Sequence, residues 1–185
     1  MPALFTGNGD DGTTGLPGNR RVRKDDERVQ LCGHLDEASA FLGLARAVSR
    51  NEDARRVLTA IQRDLYVIMT EVTSAPDEAA CHAALKPSRV SWLEEVLHGW
   101  EGSVSLPEGF ILPGDCLGSA AAAVARTVVR RAERSLAALS LSGDLKNPHL
   151  LRYLNRLSSL CFVLELLENR EAGVGRPTMA RTPSG

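Results

Sequence analysis

The chain has 185 residues, 43% of them hydrophobic, enough for one domain with a substantial core. A formal net charge of −1 excludes a global basic field aimed at nucleic acid, and 4% aromatics excludes a stacking platform for single strands. No apolar run nears the roughly 20 residues of a membrane span, and the opening MPALFTGNGDDG has no basic-then-apolar signal pattern, so a cytoplasmic location is expected.

Residues 1–33 are rich in Gly, Asp, Thr and Arg and lack an apolar period, which predicts an extended, functional loop region. A first helix is predicted over 34–49, where Leu35, Ala38, Leu42 and Ala45 recur at helical spacing. A second is predicted over 52–73, with Leu58, Ile61, Leu65 and Ile68 inward. A loop follows through 74–86. Pro87 and Ser88 open a third helix to about Trp100. Residues 102–115 form a loop carrying Pro107, Gly109, Pro113 and Gly114. A fourth helix covers about 116–141, and a break at 142–144 precedes a fifth over about 148–169. The tail from Ala172 is expected to be mobile. The pattern predicts an all-α fold, an antiparallel five-helix bundle in a single domain: 1–33 the Gly-rich loop, 34–170 the bundle, 171–185 the tail.

Cysteines stand at Cys32, Cys81, Cys116 and Cys161, with no CxxC pair, and histidines at His34, His82, His98 and His149, with no HExxH spacing. A metal site built from protein ligands alone is therefore not expected.

Four groups of residues can carry chemistry. Arg126, Arg130 and Arg134 fall along one stripe of the alanine-rich fourth helix. Three guanidiniums in a row repel one another unless acids or a bound anion face them, and Arg is suited to forked contact with phosphate. The loop Thr6-Gly7-Asn8-Gly9-Asp10-Asp11-Gly12-Thr13-Thr14-Gly15 offers glycines whose N–H groups can converge on an anion, with hydroxyls beside them. It is neither a Walker A loop nor an EF-hand. Its acids face phosphate only through a cation, for which magnesium is the natural mediator. Lys24 follows within a charge run. Asp36 and Glu37 suit the start of a helix and are also candidate partners for the stripe. Asn155 sits in an apolar helix, where it serves either a helix–helix hydrogen bond or a nucleotide.

FTGNGDDGTT, RVRKDD, GHLDEASAFLGLAR, IQRDLYVI, GFILPG, VARTVVRRAER and YLNRLS, in this order, resemble the corrinoid adenosyltransferases of the PduO type. The resemblance runs from Phe5 to about Phe162. It implies a homotrimer of five-helix bundles with ATP between subunits, magnesium bound with the phosphates, and cob(I)alamin as acceptor, giving adenosylcobalamin. It implies nucleotide contacts from Thr6, Gly7, Asn8, Gly9, Asp10, Gly12, Thr14, Gly15, Lys24, Arg130, Arg131, Glu133, Arg134 and Asn155. An acid–arginine pair across the interface is implied for Asp36 and Arg126. Phe110, with Ile111 and Leu112, is implied to meet the corrin. The resemblance also implies handover of the product to a cobalamin-dependent enzyme. The chain departs from the family at Ser159 (usually Asp), Asp115 (usually Gly) and Glu165-Leu166 (usually Ala-Arg). These departures leave open a nucleotide- or corrinoid-binding carrier or regulator with weak or no catalysis.

Overall fold

Five helices form where the apolar period predicts them. The structure is a computed structural model that describes residues 6–74, 84–143 and 145–181. Helix α1 spans Glu27–Val48, and Asp26 caps it by accepting from the Arg28 N–H. Its buried stripe is Leu31, Leu35, Ala38, Leu42 and Ala45. Helix α2 spans Glu52–Thr73, capped by Asn51, and buries Leu58, Ile61, Leu65 and Ile68. Helix α3, Pro87–Glu101, begins with proline in its first turn, where the missing N–H costs nothing. Helix α4, Leu117–Leu141, starts from a reciprocal cap between Cys116 and Ser119. Helix α5, Pro148–Glu171, is capped by Asn147.

The helices pack in the order α2–α1–α4–α5–α3, with α4 central. Its alanines Ala121, Ala122, Ala125 and Ala132 are buried and let α1 and α5 approach closely. Gly118 adds to this closeness, because a Cβ there would force the Glu168 carboxylate to shift. The outer helices α2 and α3 are joined by a polar network. Arg89 Nε and Nη2 donate to Asp64 at 2.9 and 2.7 Å, and the Tyr153 hydroxyl donates to Asp64 Oδ2 at 2.6 Å. Trp92 covers the Arg89 guanidinium 4.0 Å from its ring centre. Burial and the Asp64 charge push the Tyr153 hydroxyl well above its ordinary pKa, so it stays a proton donor.

Three expectations change. First, α1 begins at Glu27, not at residue 34, because Asp26 supplies a cap and Leu31 extends the buried stripe by one turn. Second, residues 1–33 are not all extended loop. Strands β1 (Thr13–Leu16) and β2 (Arg20–Arg23) form an antiparallel hairpin, with Thr14 opposite Val22. The three-residue loop Pro17-Gly18-Asn19 turns it, with Gly18 and Asn19 at φ of 75° and 56°, the left-handed region that Gly and Asn tolerate. Third, the tail is tied down as far as Ala180 by backbone hydrogen bonds to residues 110 and 112. The predicted loop 74–86 and the last residues of the tail lie largely outside the described residues.

Candidate active site

The N-terminal loop is organised from within. Gly7 and Gly12 adopt φ of 70° and 79°, and turns close from Asp10 N–H to Gly7 O at 3.0 Å and from Gly12 N–H to Gly9 O at 3.2 Å. Asp11 Oδ1 accepts from the Thr13 N–H at 2.9 Å and the Thr13 hydroxyl at 2.7 Å. These bonds hold its carboxyl below the usual range. Arg21 donates to Asn8 O and to Thr13 Oγ1, tying β2 to the loop. Asp11, Thr13 and Arg21 therefore shape the loop rather than await a ligand. The Asp-x-Thr spacing is the sequence signal for this arrangement. Asp10 is exposed, and its carboxylate has no hydrogen bond or ion pair among the described residues. The Lys24 ammonium lies over Gly9: a Cβ at Gly9 would sit 3.2 Å from Nζ. The structure thus joins Lys24 to the glycine loop, and Lys24 N–H donates to Gly12 O at 2.9 Å.

The arginine stripe divides into unlike parts. Arg130 and Arg134 are exposed and have no hydrogen bond or ion pair among the described residues. Arg131, off the stripe, pairs with Glu37 of α1. Arg126 lies 3.9 Å from Glu165 Oε2, a carboxylate only 1% exposed, and neither atom has a hydrogen-bond partner. Burial raises the Glu165 pKa, and Arg126 partly opposes that rise. Within one chain Asp36 stays exposed beside Glu37 and does not reach Arg126.

Two adjoining cavities meet at Arg130. The first, about 630 Å³, is lined by Arg130, Glu133, Arg134, Lys146, Arg152 and Asn155 among others. Asn155 is exposed to this cavity, not enclosed in an apolar helix interior. Its Nδ2 donates to Glu133 Oε1 at 2.9 Å, and its Oδ1 accepts from Arg156 at 2.7 Å. The helix–helix bond is therefore made, and the same side chain also lines the cavity. The second cavity, about 440 Å³, is lined by Leu106, Arg126, Arg130, Ser158, Ser159 and Phe162 among others. Phe162 and Ser158 had no assigned role in the sequence; helix spacing from Asn155 is the only signal for them.

Not every predicted residue converges. The loop 6–15 and Lys24 lie by the hairpin, which Arg20 fastens to Thr73 O at 2.6 Å on α2. They do not line the arginine cavity within one chain. Phe110 and Leu112 are 90% and 50% exposed and stand outside the second cavity, to which their loop contributes Leu106.

The family model for cobalamin adenosyltransferase matches residues 4–168. The chain belongs to the cobalamin adenosyltransferase family. A corrinoid adenosyltransferase of Mycobacterium tuberculosis is 38% identical across 100% of this chain and 98% of its own length. The corrinoid adenosyltransferase PduO of Salmonella typhimurium is 34% identical over 92% of this chain, which spans only 51% of that longer protein. A variant PduO-type ATP:corrinoid adenosyltransferase from Lactobacillus reuteri, solved with cobalamin and ATP, superposes with a TM-score of 0.86 at 27% identity, covering 97% of this chain and 100% of that one. A second variant of that adenosyltransferase, solved with ATP, gives 0.83 at 27% identity, covering 96% and 100%. The five-helix architecture is thus that of the adenosyltransferase family.

Proposed function

We propose that this chain transfers the 5′-deoxyadenosyl group of ATP to cob(I)alamin, forming adenosylcobalamin and releasing triphosphate. The observation that carries the reading is Arg130, an unpaired guanidinium shared by two adjoining cavities. One cavity is cationic and suits the phosphates; the other, with Leu106 and Phe162, suits an apolar macrocycle edge. The cobalt–C5′ bond forms as the C5′–oxygen bond to the triphosphate breaks, and the electron pair leaves with that oxygen. The reaction needs alignment and stabilisation of charge on the leaving group more than acids or bases. Arg130 and Arg134 supply that charge stabilisation. Lys24 and the N–H groups of Gly7, Gly9, Gly12 and Gly15 are assigned to the phosphates, with Thr6, Asn8 and Thr14. Glu133, Arg131 and Asn155 are assigned to the nucleoside end.

The glycine loop and the arginine cavity are separate within one chain, which is the arrangement a site between subunits needs. We assign the assembly as a homotrimer, with Asp36 of one subunit facing Arg126 of the next, where Glu165 leaves that guanidinium without a hydrogen bond. Phe110, Ile111 and Leu112 are assigned to the corrin, where apolar groups exclude a lower axial ligand. Among the described residues no group of three or more His, Cys, Asp or Glu could hold a metal ion. We assign a magnesium ion to the triphosphate, with Asp10 as the free acid of the loop. Bound there, it would offset phosphate charge. No helix of the described residues is long and apolar enough to cross a membrane; a cytoplasmic setting and handover to a cobalamin-dependent enzyme complete the proposal.

The carrier reading has one observation in its favour, the buried Glu165 that draws on Arg126. Anaerobic incubation with chemically reduced cob(I)alamin, magnesium and ATP separates the two. The adenosylcobalamin spectrum is expected. ATP binding without product would overturn the transferase in favour of the carrier.

A further inference from the structure

The loop 102–115 carries the exposed Phe110 but has little structure of its own. Among the described residues, the backbone hydrogen bonds of residues 105–114 all go to the C-terminal segment. Leu112 N–H donates to Thr178 O at 2.7 Å, and Ala180 N–H donates to Phe110 O at 2.8 Å. Ile111 and Met179 form an antiparallel bridge between them. Side chains on such a strand alternate, so Phe110 and Leu112 share the solvent face while Ile111 is half-buried behind them.

A side chain locks this pairing. Asp115 Oδ2 accepts from the Thr178 N–H at 2.9 Å, and Asp115 Oδ1 accepts from the Thr178 hydroxyl at 2.6 Å. Gly114, with φ of 114°, makes the turn that brings Asp115 back to Thr178. At its other end the segment is anchored where Val174 N–H donates to Asn169 O at 2.9 Å. Between the anchors it spans a cavity of about 740 Å³, lined by Leu166, Asn169, Val174 and Met179 among others. The segment therefore does not rest on a packed helix face along its length. What fixes it is the two-bond ladder and the Asp115–Thr178 clasp.

We propose that Asp115 and Thr178 are positioning residues for the corrinoid. Their clasp holds the C-terminal segment as a second strand against residues 110–112 and so presents Phe110 and Leu112 on one apolar face. This rests on the transferase reading for the identity of the ligand, but the clasp itself does not. Asp115, where the family usually carries Gly, thus serves to hold the tail.

The test compares full-length wild type with Asp115→Ala, Thr178→Val and Asp115→Asn. The expected result is a corrinoid KM raised about tenfold in Asp115→Ala, the cost of two charge-assisted bonds only partly felt at the ligand, with ATP KM within about twofold. Thr178→Val keeps the backbone donor and shifts KM less. Asp115→Asn keeps an acceptor and recovers most of the affinity. In parallel, hydrogen exchange at the Leu112 and Ala180 amides is expected to quicken in Asp115→Ala while the α4 amides hold. Unchanged exchange at both amides would overturn the clasp. Quickened exchange with an unchanged corrinoid KM would overturn its positioning role. Should wild type make no adenosylcobalamin, the transferase reading fails; cob(II)alamin binding, read from its visible spectrum, then replaces KM with the same expected shift.

Discussion

Two arginine sites in this bundle have opposite designs. Arg89 is closed: two of its nitrogens meet Asp64, Tyr153 completes the same carboxylate, and Trp92 covers the guanidinium. Arg130 and Arg134 are open: they are unpaired among the described residues and line a cavity. A satisfied buried network fixes helices relative to one another. A pair of unpaired guanidiniums on one face is complementary to an anion. The same residue type thus closes a structural network at one place and is left open, where we assign it to ligand binding, at another. The difference lies in whether the chain supplies the acid.

The largest effect expected from breaking the closed site is on folding. Asp64→Ala leaves Arg89 and the buried Tyr153 hydroxyl without their acceptor and should cost about 3 kcal/mol, toward the low end for a buried pair because Arg89 is partly exposed. Thermal unfolding reads it, and a shift no larger than that of a surface variant would deny the network its role. At the open site the effect moves from stability to binding. Arg134→Ala should weaken inorganic triphosphate binding about tenfold, the worth of one charged hydrogen bond, and leave the melting temperature nearly unchanged. Equal loss of stability would place Arg134 with Arg89 in the structural class. Smaller again, Asp36→Asn should weaken trimer assembly or ATP affinity by a few-fold, on the order of 1 kcal/mol, by removing the charge assigned to Arg126 across the interface. Sedimentation and nucleotide titration that match wild type would remove that pairing and leave Arg126 facing Glu165.

The helices were legible because each buries a continuous apolar stripe. Helix α2 has the predicted ends, since Asn51 and Ser74 bracket an unbroken period. The first turns of α1 are not legible, because Glu27–Gly33 shows no repeating apolar period and only Leu31 is fully buried there. The hairpin is not legible because Thr13–Leu16 and Arg20–Arg23 bury little and show no apolar alternation; Gly18-Asn19 is the local turn signal between them. At the site, the stripe and the glycine loop were visible as local patterns. What was not visible depends on distant pairs: Asp64 with Arg89 and Tyr153, Arg126 with Glu165, Asp115 with Thr178. Nothing in a single sequence states that such residues meet.

The central claim is that Arg130, open to both cavities, stabilises the charge that develops on the departing triphosphate. The direct test is the anaerobic rate of adenosylcobalamin formation by Arg130→Ala at saturating ATP and cob(I)alamin. A fall in kcat of about a hundredfold or more, with the melting temperature held, is the predicted result. A kcat close to wild type would contradict the assignment.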